Sequence, residues 1–307
     1  MKRAAFVFPG QGSQAVGMGL DFYERYDEVR AVYKETSEAL GYDISDLCFN
    51  GPKEELNKTF RTQPCLLTTS IAAFTVLKLK GIKPDVVAGH SLGEYSAMVA
   101  AGVLKLKDAV ILTEKRGIFM QEAVPEGQGM MAAIMGLDRE AVDRICGNAT
   151  TGYVSPANYN CPEQIVIAGE KPAVEEAIRL AKQEGAKRAV ALTVSVPSHC
   201  TLMMGASERL GAYMETIPFD KPDIPVVNNA DAMVLGTVEK IKSSLVRQLN
   251  SPLLWEDSIR TIHAMDVDVF IEVGPGTVLG GLIKRIVTNV SIYAVSDTAS
   301  LERFINA

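Results

Sequence analysis

A chain of 307 residues that is 47% hydrophobic and 22% charged can bury a sizeable core, which excludes an intrinsically disordered protein. A formal charge of −6, with no basic block and no series of stacking aromatics, excludes a nucleic-acid partner. No apolar run reaches the length of a membrane span and the first residues lack a signal-peptide pattern, so no membrane contact and a cytoplasmic location are expected. In chain order, 4–8 (Ala-Ala-Phe-Val-Phe) predicts a buried strand. It runs into Pro9-Gly10-Gln11-Gly12-Ser13-Gln14, a loop that nearly fits a dinucleotide fingerprint. That fingerprint needs a second strand ending in an acidic residue about twenty positions on, whereas this chain continues into a helix over 20–40. A better use for the loop is to bring a backbone N–H, such as that of Gln11, against a bound acyl oxygen. A short helix is expected over 54–60. Thr62-Gln63-Pro64 opens a longer one to 80, with Pro64 in the first turn, where its missing N–H costs nothing.

The stretch 84–102 organises the rest. Val86 to Ala88 predicts a buried strand, 92–101 a helix stopped by Gly102, and between them stands Gly89-x-Ser91-x-Gly93. This is the spacing of a nucleophile elbow, in which a tight strand-to-helix turn lifts one serine clear of the sheet. The helix that begins beside Ser91 aims free N–H groups at the same point, as a developing oxyanion requires. A helix over 108–123, capped by Asp108, follows. On its wheel Arg116 falls among Ala109, Leu112, Thr113, Phe119 and Met120, the inward stripe. A guanidinium keeps its charge, so burial there demands an anion, either a carboxylate of the protein or one of a substrate.

After a linker at 125–129 the rhythm changes. Strands over 130–135, 153–157, 164–168 and 187–196 alternate with helices over 138–146 and 172–183, with a turn at 158–162 between the middle strands. The order strand-helix-strand-strand-helix-strand predicts a ferredoxin-like subdomain, 127–197, inserted into an α/β body of 1–126 and 198–307. Its last strand delivers Val196-Pro197-Ser198-His199-Cys200. The chain has three histidines. His90 adjoins Ser91 on a strained turn and should diverge from it, and His263 sits on the flank of a helix expected over 255–265. His199, at a strand end where loops converge, is left as general base for Ser91. No third triad member is evident, and a backbone or amide carbonyl would hold the imidazole equally well. The five cysteines are scattered without a C-x-x-C pair, which argues against a disulfide framework and against a metal site, and no elbow presents Cys200 as a nucleophile. Helices over 202–215, 238–249 and 279–286 and strands over 224–227 and 269–273 complete a mostly parallel sheet. Gly274-Pro275-Gly276 forms a third strand-to-helix loop.

Taken together, Phe8 to Gln14, Thr62-Gln63-Pro64, Gly89-His90-Ser91-Leu92-Gly93-Glu94-Tyr95, Arg116, Ala157-Asn158-Tyr159-Asn160, Val194 to Cys200, Gln248 and Glu272 to Gly276 resemble the malonyl-CoA:acyl carrier protein transacylase family of type II fatty-acid synthesis. The resemblance spans nearly the whole chain and implies an α/β-hydrolase-like body with a ferredoxin-like insert. It implies that Ser91 takes the malonyl group from malonyl-CoA, with His199 as base, and passes it to the phosphopantetheine thiol of an acyl carrier protein. It further implies an oxyanion hole from the amides of Gln11 and Leu92, Arg116 gripping the malonyl carboxylate, Gln248 orienting the base through its carbonyl, and Asn160 lining the site. No resident cofactor is implied. Cys161 and Glu163 depart from the small residues usual in that turn. A serine hydrolase, a non-catalytic carrier-protein binder and a transacylase serving a polyketide assembly line are the competing readings. An acidic carrier protein meeting an acidic enzyme requires a local basic patch, with Lys187, Arg188, Lys284 and Arg285 as its candidates.

Overall fold

The computed structural model describes residues 3–193 and 196–307, so Val194 and Ser195 of the motif before His199 lie outside it. Its strands are β1 (Arg3–Phe8), β2 (Val86–Gly89), β3 (Gly129–Met135), β4 (Val154–Cys161), β5 (Gln164–Glu170), β6 (Arg188–Ala191), β7 (Val226–Val227), β8 (Val234–Leu235), β9 (Val267–Val273) and β10 (Ser291–Val295). Six form the larger sheet in the order β10-β9-β1-β2-β7-β8. All pair in parallel except β7 with β8. Alternation along β1 divides the core in two: Phe6 and Phe8 pack with Leu66, Leu67 and Tyr95 on one face, Ala5 and Val7 with Trp255, Phe270 and Ile283 on the other. A parallel sheet covered on both faces explains why its strands read as unbroken apolar runs. Phe8 is in register with Gly89 and Val7 with Glu272, so the loops leaving β1, β2 and β9 emerge at one level. That is where a doubly wound sheet carries its site.

The second sheet, β4-β5-β3-β6, is antiparallel throughout, with the crossing order of a βαββαβ unit. Helices Arg139–Gly147 and Lys171–Gln183 cover one face. The other face, with Met131, Ala133, Ala157, Val166 and Ala168, packs with Cys200 of the body. Backbone hydrogen bonds stitch β4 to the body, from Tyr159 N to Leu253 O at 2.9 Å and from Leu253 N to Ala157 O at 2.8 Å.

Several element boundaries differ from expectation. The helix expected over 20–40 is two, Leu20–Arg25 and Asp27–Leu40, because Tyr26 adopts an extended backbone between them. The long helix runs Thr59–Leu79, so Pro64 lies inside it rather than in its first turn. The next helix starts at Leu106 with Lys105 as its cap, not Asp108. Strand β4 continues through Asn158 and Asn160 to Cys161, leaving only Pro162 and Glu163 as the turn, with Glu163 at φ 58°. Helix Ile44–Asn50, strands β8 and β10 and the final helix, Thr298–Ile305, are not expected from the sequence, the last fixed by a reciprocal Asp297–Ser300 cap, and the strand expected from 187 stops at Ala191.

Candidate active site

The elbow is built from close approach. A Cβ on Gly89 would lie 1.9 Å from the Gly93 carbonyl, and one on Gly93 would lie 2.0 Å from Phe8 O, so no side chain fits at either position. Ser91 sits at φ 53°, a left-handed conformation that a non-glycine residue holds only when its surroundings impose it. Asn229 imposes it. Its Oδ1 accepts from Ser91 N at 2.8 Å, its Nδ2 donates to Gly89 O at 2.8 Å, and its own N–H donates to Glu94 Oε2 at 3.0 Å.

His199, also strained at φ 63°, comes from the segment after the small sheet. Its Nδ1–H donates to the Gln248 backbone carbonyl at 2.7 Å, which leaves Nε2 unprotonated, and Ser91 Oγ–H donates to Nε2 at 2.9 Å. Burial, and after it the Arg116 guanidinium, push His199 down to about 3 against the opposing Gln248 carbonyl, so the imidazole is neutral at physiological pH. This is the protonation state a general base requires.

Arg116 is 1% exposed, and among the described residues no carboxylate contacts it. Its Nη1 donates to Gln63 Oε1 at 2.8 Å, and Nη2 to Gln248 Oε1 at 3.0 Å and Ser91 Oγ at 3.2 Å, while buried Nε has no hydrogen-bond partner among the described residues. Its guanidinium carbon lies 5.4 Å from the Tyr95 ring centroid. Glu94 stands one residue behind: Gln248 Nε2 donates to Glu94 Oε2 at 2.8 Å and to Ser91 O at 2.9 Å. Burial pushes Glu94 up to about 7 despite those donors and Arg116. Gln248 thus binds the imidazole through its backbone carbonyl, the guanidinium through Oε1, and both the elbow and the carboxyl through Nε2.

Ser91, His199 and Arg116 share one cavity of about 230 Å³ between the two sheets, with Gln11, Asn160, Met120, Met131, Gln164 and Leu282 also on its wall. Among the described residues, neither the Gln11 nor the Leu92 amide donates to an acceptor of the protein, so both are free for an oxyanion. His90 turns away from Ser91, its Nε2 hydrogen-bonded to Asn160 Oδ1 at 2.9 Å and its ring edge-on to Trp255. His263 is exposed at a helix end. Cys200 is buried, its Sγ donating to Pro197 O at 3.2 Å, and burial pushes the thiol up to about 11. No group of three His, Cys, Asp or Glu residues among those described is placed to hold a metal. No helix among the described residues is long and apolar enough to cross a membrane.

Gln63 and Glu94 stand inside the sequence motifs without a role assigned to them, and Asn229 stands outside every motif. Glu94 carried a signal, a lone acid on an otherwise small and apolar helix. Asn229 carried none, because it follows the two-residue strand β7 and its role depends on the elbow alongside.

Known proteins match this chain over nearly its whole length. The acyl transferase domain family matches residues 5–301. A malonyl CoA-acyl carrier protein transacylase of Haemophilus influenzae is 52% identical over 303 residues, 98% of this chain and 97% of that protein. An acyl carrier protein S-malonyltransferase from Vibrio cholerae superposes with a TM-score of 0.96 at 51% identity, covering 98% of this chain and 99% of that one. A malonyl-transacylase solved in complex with a type II polyketide acyl carrier protein gives a TM-score of 0.97 at 50% identity, with 99% of each chain covered. The chain belongs to the acyl transferase domain family.

Proposed function

We propose that the chain moves a malonyl group from malonyl-CoA to the phosphopantetheine thiol of an acyl carrier protein, as a step of fatty-acid synthesis. Ser91 Oγ attacks the thioester carbon as its proton passes to His199 Nε2, and the amides of Gln11 and Leu92 hold the oxyanion. Loss of one such donor typically costs ~3 kcal/mol of transition-state stabilisation. As the carbonyl re-forms the carbon–sulfur bond breaks, and His199 returns the proton to the departing sulfur. The second half-reaction reverses the roles, with the carrier protein's thiol attacking the ester on Ser91. Gln248 fixes the imidazole through its backbone carbonyl, and Asn160, held by His90, lines the donor's path. No resident cofactor or metal takes part in this scheme. We treat 127–197 as a unit inserted into the body, forming one wall of the cavity, and place the activity in the cytoplasm, in keeping with five free cysteines.

The observation that carries this reading is Arg116, a buried cation facing the nucleophile with no carboxylate of the described residues upon it. A malonyl carboxylate supplies the missing charge bidentately, whereas an acetyl group leaves it unmet at a cost of several kcal/mol. Arg116→Ala is therefore expected to lower malonyl transfer by about a hundredfold or more while acetyl transfer changes far less. Equal losses with both donors, measured by rates of transfer to holo-carrier protein, would make Arg116 a purely structural cation.

A further inference from the structure

The contact from Arg116 Nη2 to Ser91 Oγ, at 3.2 Å, works against the nucleophile. It turns a guanidinium toward the lone pairs that must reach the acyl carbon. The proton that Ser91 sheds goes to His199 Nε2, 2.9 Å away, creating a second cation beside the first. The neighbouring groups do little to offset this. His90 is kept neutral by burial, the Tyr95 hydroxyl is pushed up to about 12 by burial, and Glu94 is separated from the guanidinium by the Gln248 amide. An incoming carboxylate competes with Ser91 Oγ for the Nη2 donor, and a planar guanidinium favours the carboxylate, which accepts two parallel bonds.

We propose that the carboxylate of the acyl group switches the Ser91–His199 dyad on, by drawing Arg116 Nη2 away from Ser91 Oγ and cancelling the guanidinium charge. This rests on Arg116 as the receiver of that carboxylate, and extends it. Selection among donors then falls on the chemical step as well as on binding: a donor without the carboxylate binds and stalls. The low basicity of His199, for which Arg116 is the second cause after burial, is in keeping with this. The bonds made and broken are those of ordinary acylation. Ser91 Oγ joins the acyl carbon, the carbon–sulfur bond breaks, and the proton passes through His199 to the sulfur of coenzyme A. The activating carboxylate is not consumed.

Since the switch needs only a charge and two oxygens, a separate small carboxylate should act in place of the missing one. The test is single-turnover acetylation of Ser91 by saturating acetyl-CoA, with sodium formate against sodium chloride at equal ionic strength. Malonyl transfer is followed in the same preparation. Formate is expected to raise the maximal acetylation rate saturably, by about tenfold (the equivalent of one pKa unit of basicity at His199), and to have no effect in Arg116→Ala. Formate that leaves wild-type acetylation unchanged, slows it, or accelerates Arg116→Ala equally overturns the switch. A preparation that transfers malonyl yet ignores formate rejects the switch alone. One that never places malonyl on Ser91 rejects the underlying reading too.

Discussion

Gln248, Glu94 and Arg116 form a buried polar line behind Ser91, and its charge balance is set by where protons sit. Burial keeps His199 neutral and pushes Glu94 up to about 7, and the two act oppositely on stability. For His199 the unfolded chain binds the proton more readily, so stability falls as pH drops from 6.5 toward about 3. For Glu94 the folded chain binds the proton more tightly, so its contribution falls as pH rises from 4.5 through about 7. Glu94→Gln mimics the neutral acid and is expected to gain stability on the parent by on the order of 1–3 kcal/mol between pH 5 and pH 8. Thermal melts of both proteins across that range check it; a gap that stays constant or narrows with pH would mean Glu94 does not titrate in the fold. Single residues were legible here where chemistry restricts the choice. Ser91 stood at an elbow, His199 was the histidine left after elimination, and Arg116 was a cation on an apolar stripe. Gln248 and Asn160 came from resemblance, since an amide's role depends on partners far away in sequence. Asn229 came only from structure.

Helices and strands were legible in kind but less so at their ends. The wheel that set Arg116 inward needed only the period of its helix, and the buried guanidinium agrees with it. The ends depended on tertiary contacts. Thr62 Oγ1 donates to Leu56 O at 2.6 Å and Arg61 pairs with Glu114 at 3.1 Å, contacts that fix the turns before Pro64 and carry Gln63 toward Arg116. Strand β4 outran its expected turn because β5 and Leu253 pair with it on either side. At the elbow, spacing and geometry coincide, since the motif's glycines are the positions where backbones touch. Gly93→Ala forces a methyl group against Phe8 O and is expected to destabilise the fold by about 4 kcal/mol or more. Denaturant unfolding measures this, and a loss below about 1 kcal/mol would show that the elbow can relax.

At the scale of the molecule, the cavity lies where one face of the small sheet meets the loops leaving the large one, and polar groups reinforce the apolar seam. Arg139 pairs with Glu256 at 3.2 Å and Asp257 at 2.9 Å. Arg285 donates at 2.6 Å to both Pro162 O and Gln164 Oε1. These ties also sort the basic patch. Lys187 is occupied by Glu163 at 2.9 Å and Arg285 by the β4–β5 turn, whereas Arg188 on β6 is exposed with no ion-pair partner among the described residues, and so is Lys284. It shares a helix with Leu279 and Leu282 of the cavity wall and with Val278, an apolar side chain 56% exposed at the mouth. Lys284→Glu is expected to raise KM for an acidic carrier protein by about tenfold at low salt, leaving acylation by malonyl-CoA unchanged. A KM that does not move, at any ionic strength, would put the docking face elsewhere.

The central claim is that Ser91 carries the acyl group between two thiols. Intact-protein mass spectrometry after mixing with malonyl-CoA, repeated after adding holo-carrier protein, tests it most directly. One malonyl adduct should form on the wild-type chain, map to Ser91, discharge to the carrier protein rather than to water, and be absent from Ser91→Ala. An undiminished adduct in Ser91→Ala, or a wild-type adduct that only hydrolyses, would contradict the account.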